Sequence, residues 1–215
     1  MNRSSELYLF DELFRQKGFS ALCGIDEAGR GPLAGPVCAA AVILDPTEPL
    51  EGLDDSKKIS PRRREILFSQ ITAKALAFGV GWADEKEIDQ LNILQATFLA
   101  MHRAVDQMGL APDLLLVDGN RDPGFSGIET VCVVGGDRQS ASVAAASILA
   151  KVSRDRFVAG ELDERYPQYQ FAKHKGYGSK EHFAALRELG PCPMHRKTFR
   201  GVLPEQQTAR QGSLL

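Results

Sequence analysis

Residues 22–36 constrain this chain more than any other stretch. An apolar run, Leu22-Cys23-Gly24-Ile25, ends in two adjacent carboxylates, Asp26 and Glu27, and gives way to Ala28-Gly29-Arg30-Gly31-Pro32-Leu33-Ala34-Gly35-Pro36. The first part reads as a buried strand and the second as a loop. Successive side chains of a strand point to opposite faces. Asp26 and Glu27 therefore cannot both face solvent, and at least one is directed at the interior or a cleft. A buried carboxylate is costly unless a cation or hydrogen bonds compensate it. Gly29, Gly31 and Gly35 around Arg30 let the backbone approach a partner closely and offer its N–H groups. A cation site beside an anion-friendly loop points to a phosphate substrate.

With 215 residues, 43% apolar and 25% charged, the chain is of ordinary globular composition and long enough for one domain with a good core. No run approaches the roughly 18 apolar residues of a membrane span. Met1 to Phe19 lacks the apolar core of a signal peptide, which places the protein in the cytoplasm. Cys23, Cys38, Cys132 and Cys192 form no Cys-x-x-Cys pair and read as reduced, mostly core residues. The net charge of −2 hides an asymmetry: residues 151–215 hold 12 Lys and Arg against 7 Asp and Glu, and residues 1–150 hold 14 against 21. A basic C-terminal third beside an acidic remainder fits an anionic polymer held by one part and cut by carboxylates in another.

Hydropathy periodicity predicts an amphipathic helix over residues 5–17 and strands at Leu22–Glu27, Val37–Leu44, Ala77–Ala83, Leu114–Val117 and Ile128–Val134. Ser60-Pro61 opens a helix to about Ala75, Asn92 caps one to about Met108, and a long helix runs from Gln139 to about Leu162. Residues 174–180 form a Gly-rich basic loop before a short helix at Glu181–Leu189. Beyond Pro191 the pattern predicts loose order. This sequence of elements is that of an α/β domain with a mixed sheet of about five strands and helices on both faces.

Asp118 also ends a buried strand, and Asp137 stands just before a helix. Carboxylates at strand ends far apart in sequence meet where those strands end on one edge of a sheet. Crowded carboxylates repel unless a divalent cation is present. Oxygen ligands without Cys or His suit Mg²⁺ or Mn²⁺. Two such ions about 4 Å apart activate a water and stabilise the leaving oxygen of a phosphodiester.

The run from Asp26 to Val37 resembles the signature of the type 2 ribonucleases H, in particular the bacterial ribonuclease HII branch. The likeness continues with Asp55-Ser56-Lys57-Lys58, Ile93-Leu94-Gln95-Ala96 and Val117-Asp118-Gly119. Gly136-Asp137, Ala144 to Asp155, and His174-Lys175-Gly176-Tyr177-Gly178 extend it over about residues 22–200. The resemblance implies an RNase H-like fold: a catalytic domain over residues 1–165, a helical substrate-binding extension of the same unit over 166–203, and a flexible tail over 204–215. It implies an endonuclease that cuts the RNA strand of RNA–DNA hybrids, nicks 5′ to single ribonucleotides in duplex DNA, and serves DNA replication and ribonucleotide excision repair. The family's four catalytic, metal-holding carboxylates fall on Asp26, Glu27, Asp118 and Asp137, with Mg²⁺ or Mn²⁺ as the two ions. Asp155 lies about 25 Å along the helix from its start and is assigned a surface or salt-bridge role instead. Gly29, Arg30 and Gly31 match the family loop that reads the ribose 2′-hydroxyl, the group that separates RNA from DNA. Tyr177 matches the tyrosine that stacks on the sugar at the DNA side of the junction. Ser56, Lys57, Lys151, Arg154 and Lys175, with Lys58 and Lys173, are candidates for substrate contact. The protein reads as a monomer, and the tail carries no obvious clamp-binding peptide.

Four other readings fit less well. Gly29-x-Gly31-x-x-Ala34 formally matches a dinucleotide fingerprint, but Pro36 would fall inside the helix that fingerprint requires. A non-catalytic nucleic-acid module has no use for four convergent carboxylates. A DNA-cutting transposase or resolvase on the same fold would cleave all-DNA duplex. Cys192-Pro-Met-His195 is too isolated for a zinc site.

Overall fold

The computed structural model describes residues 3–56 and 58–203. Lys57 and the tail expected over 204–215 lie outside the described residues. The elements are α1 (Arg3–Arg15), β1 (Leu22–Ala28), β2 (Val37–Ile43), α2 (Pro61–Lys74), β3 (Ala77–Ala83), α3 (Glu85–Leu91) and α4 (Ile93–Asp106). There follow β4 (Leu114–Asp118), β5 (Glu129–Val133), α5 (Ala141–Phe157), α6 (Asp163–Arg165), α7 (Phe171–His174) and α8 (Lys180–Leu189).

The five strands form one mixed sheet in the order β3-β2-β1-β4-β5. β2 pairs antiparallel with both β1 and β3, whereas β1, β4 and β5 are parallel to one another. β2 is apolar at every position because both its faces are covered. Cys38, Ala40 and Val42 face one core with Leu67 and Ile71 of α2 and the alanines of α5. Val37, Ala39, Ala41 and Ile43 face the other, with Ala96, Ala100 and Ala104 of α4. These are the fold class and the two-faced layering that the sequence predicts, and all five strands fall within two residues of their expected bounds. Among the described residues no helix is long and apolar enough to cross a membrane.

α5 lies across β1 and β2. Its first turns are almost entirely Ala and Ser and almost entirely buried. At Gly24 the helix comes so near the strand that a methyl group would stand 2.1 Å from the Ser142 carbonyl carbon and 2.3 Å from the Val143 nitrogen. Ser140 caps the helix by accepting from the Val143 N–H, and buried Asp11 of α1 accepts from both the N–H and the hydroxyl of Ser142.

Three elements differ from expectation. The long helix stops being α-helical at Phe157 and continues as a π-helical turn over Val158–Leu162. α3 is absent from the sequence prediction, although Asp84 and Glu87 form a reciprocal capping box that marks its start. The stretch after Pro191 is not loose: Cys192, His195, Arg196 and Val202 are buried. Ala34 and His195 form an antiparallel bridge, with the Arg196 N–H donating to Leu33 O and the Gly35 N–H to Met194 O.

Gly24→Ala is expected to lower the free energy of unfolding by about 3 kcal/mol or more, because helix and strand must part to admit the methyl. Urea denaturation checks this; an unchanged midpoint would show that α5 does not sit so close.

Candidate active site

Asp26 and Asp118 meet because of strand register. Ile25 pairs with Val117 in the parallel β1–β4 ladder, so the next residue of each strand falls on one face in one row. Asp26 is buried. Its burial first, then the charges of Glu27 and Asp118, push its carboxyl well above the usual carboxylate range, against hydrogen bonds from Ser147 and the Glu27 N–H. Glu27 leaves by the opposite face of the strand but also lines the cleft, where its Oε1 stands 3.3 Å from Arg30 Nη1. Asp118 Oδ1 accepts from the Gly136 N–H at 2.6 Å. Asp137 sits in a short 3₁₀ turn, Gly136–Arg138, that leads into α5. All four carboxylates line one open cleft of ≈ 740 Å³, and Asp55, Ala28 to Gly31, Ser147, Lys151 and Tyr177 are among the other residues of its wall.

The four therefore share a site with an all-oxygen donor set, the chemistry that hard divalent cations take. Among the described residues no three His, Cys, Asp or Glu side chains are drawn together tightly enough to hold a metal ion as they stand. Asp26, Glu27 and Asp118 instead hold the protein partners just named, and Asp137 Oδ1 stands 3.8 Å from Arg138 Nε.

The remaining candidates divide. Gly29, Arg30, Gly31, Lys151 and Tyr177 line the cleft. Tyr177 is 44% exposed, and a methyl on Gly31 would lie 3.7 Å from its ring. Lys151 pairs with Asp155 at 2.8 Å, the salt-bridge role expected of Asp155, and its ammonium stands 5.9 Å from the Tyr177 ring centre. Ser56 borders the cleft but is buried, its hydroxyl 2.8 Å from that of Ser147. It thereby braces the serine that hydrogen-bonds Asp26.

One candidate is corrected, and a second lies outside the cleft. Arg154 is 1% exposed, and its guanidinium donates to protein carbonyls, Nε to Pro36 O, Nη1 to Lys175 O and Nη2 to Ala34 O. It is a structural tie and not a phosphate contact. Gly29, at φ +96°, exists partly to admit it, since a methyl there would lie 2.0 Å from Arg154 Nε. The Lys175 ammonium turns back on Ala172 O and does not line the cleft.

Sequence reasoning missed Arg196, which is wholly buried beneath the Gly29–Gly31 loop. Burial, and then the neighbouring Arg154, push its pKa down to about 9, so it stays charged at neutral pH. It missed the histidine pair beside it as well. The Tyr177 carbonyl only accepts, so His182 Nδ1, 2.9 Å away, carries the hydrogen and its Nε2 accepts from His195 Nε2 at 3.0 Å. His195 Nδ1 then accepts from the Cys192 N–H.

A mixed five-stranded sheet in this order, with carboxylates converging where β1 and β4 end, defines a nuclease of the ribonuclease H type. The ribonuclease HII family model matches residues 23–202. The chain is 55% identical over 196 residues to the ribonuclease HII of Geobacter metallireducens, 91% of either length. Among solved structures, the ribonuclease H2 from Pyrococcus horikoshii OT3 superposes with a TM-score of 0.69 at 26% identity, over 84% of this chain and 94% of that one. Bst-RNase HIII in complex with Mn²⁺ shares the fold, with a TM-score of 0.57 at 17% identity over 84% and 67%. The chain belongs to the ribonuclease HII family, hydrolases that cleave the RNA strand of RNA–DNA hybrids.

Burial first, then the neighbouring His182, push His195 down to about 4. A free imidazole titrates near 6.5, so the unfolded chain takes up this proton before the folded one. The stabilisation is complete above pH 6.5 and disappears as pH falls through about 4, a loss of roughly 3 kcal/mol. Denaturant unfolding at stepped pH should show His195→Gln with a shallower fall across this window than wild type; parallel curves would refute the linkage.

Proposed function

We propose that this protein is an endoribonuclease that nicks on the 5′ side of single ribonucleotides in duplex DNA, as well as cutting RNA–DNA hybrids, with two Mg²⁺ or Mn²⁺ ions. The observation that carries the reading is the shared wall of one cleft. The four carboxylates lie directly beside the Gly29–Gly31 backbone and the exposed face of Tyr177. Hydrolysis chemistry and a surface able to sense one ribose are thus in contact.

Asp26, Glu27, Asp118 and Asp137 would hold the ions. Bound divalent ions make a water nucleophilic near neutral pH and offset charge on phosphate and leaving oxygen. The P–O3′ bond breaks, giving a 3′-hydroxyl and a 5′-phosphate. Backbone N–H groups of Gly29 to Gly31 would contact the 2′-hydroxyl and the following phosphate, with Arg30 adding charge. A deoxyribose packs against the Tyr177 ring where a 2′-hydroxyl fits poorly, which sets the cut at the RNA–DNA junction. Lys151 and Lys57 would contact phosphates, and residues 166–203 would form the substrate-binding extension of the catalytic unit over 1–165. Such an activity serves ribonucleotide excision repair and DNA replication, in the cytoplasm and as a monomer.

The deciding experiment uses a DNA duplex with one embedded ribonucleotide, with Mg²⁺ or Mn²⁺ and then EDTA. One metal-dependent nick 5′ to the ribonucleotide is expected; cuts only within long hybrids would leave the carboxylate chemistry standing and remove the junction reading. Asp118→Ala should lower cleavage more than about a hundredfold while hybrid binding in EDTA persists, and retained cleavage would unseat the carboxylate site. Tyr177→Ala should flatten the preference for cutting at a junction more than it weakens hybrid affinity, as shown by the cut positions on an RNA tract joined to DNA.

A further inference from the structure

The segment that carries the cleft's backbone donors, residues 29–36, has neither helix nor ladder to fix it, yet five of its carbonyls accept from two buried guanidinium groups. Gly29 O, Arg30 O and Gly35 O accept from Arg196 Nη2, Nη1 and Nε at 2.6, 3.0 and 2.9 Å. Ala34 O and Pro36 O accept from Arg154 Nη2 and Nε at 3.2 and 3.0 Å. A trans peptide is planar, with the C=O of one residue opposed to the N–H of the next, and the described residues include no cis peptide. Drawing the Gly29 and Arg30 carbonyls onto the buried fork of Arg196 therefore turns the N–H groups of Arg30 and Gly31 the other way, toward the cleft that these residues line.

We propose that Arg196 is the positioning residue for ribonucleotide discrimination. Its guanidinium sets the two peptide planes, 29–30 and 30–31, whose N–H groups meet the 2′-hydroxyl and the adjoining phosphate. Arg196 is wholly buried and so acts through the loop without touching substrate. Its main chain is fixed to the same loop, since its N–H donates to Leu33 O and its neighbour His195 bridges to Ala34. Through His182 that neighbour also reaches the Tyr177 carbonyl, so both halves of the reader hang on one short segment. Three N–H groups in a rigid fork span three carbonyls; the point charge of a lysine cannot do so. The inference rests on the junction-reading role proposed for the loop.

The test compares wild type with Arg196→Lys on an RNA tract joined to DNA and on a duplex with one ribonucleotide. The cut-position preference for the junction is expected to fall about tenfold, the worth of a lost hydrogen bond. kcat on the single-ribonucleotide duplex should fall by a similar factor, with KM nearly unchanged. Non-denaturing guanidinium should restore the preference to Arg196→Ala, and ammonium should not. Even cutting by wild type would end the junction reading and this proposal with it. A wild-type preference kept intact by folded Arg196→Lys would overturn the proposal alone. If the variants do not fold, amide exchange on wild type in EDTA decides. Protection of the Arg30 and Gly31 N–H groups by a duplex with one ribonucleotide, beyond that given by all-DNA duplex, is expected, and equal protection by both would overturn it.

Discussion

The close crossing of α5 over β1 is the constraint on which the rest depends. The backbone of α5 lies so near β1 that there is no room for a methyl at Gly24, and this contact sets the height of the helix over the strand. One helix then delivers three groups at three heights. Ser147 reaches Asp26, Lys151 borders the cleft, and Arg154 passes beneath the loop that follows β1. The Ala- and Ser-rich composition of its first turns is what permits the approach, and the helix gives up side-chain bulk to gain proximity.

Like charges sit unusually close on both sides of this arrangement. Five carboxylates line one cleft, Asp55 beside the four already described, and two guanidinium groups lie buried side by side behind one of its walls. The carboxylates reach the cleft surface, where cations can offset them. The guanidinium groups are offset by oriented carbonyl oxygens, whose partial negative charge substitutes for a counter-ion without adding another titrating group. The result is an acidic surface backed by a fixed positive layer, a polarity suited to holding a phosphate chain beside carboxylate oxygens.

Much of this was legible in the sequence. The strands were, because their apolar runs end at Gly, Pro or Asp, and so was the cleft, because Asp26-Glu27 and Asp118 close buried strands. α3 escaped because seven residues are too few for periodicity to register, although its Asp84–Glu87 capping box was in plain view. Arg154 was misread as a phosphate contact because an arginine leaves no mark in sequence that separates a backbone-tying role from a substrate one. Arg196 was missed for the same reason, and because its setting, rich in Pro, His and Lys, looks like a solvated end. Both owe their roles to carbonyls more than a hundred positions away, in a loop that only the fold brings near.

That separation carries a consequence for how the molecule is made. The loop at residues 29–36 is synthesised early, and the arginine that holds it comes 160 positions later than its last residue. At about 5–20 residues per second those 160 positions take roughly 8–32 s, and the last of the four carboxylates, Asp137, is added only 59 positions before Arg196, roughly 3–12 s. On the reading proposed above, a nascent chain gains its hold on the loop only after all four carboxylates have been added.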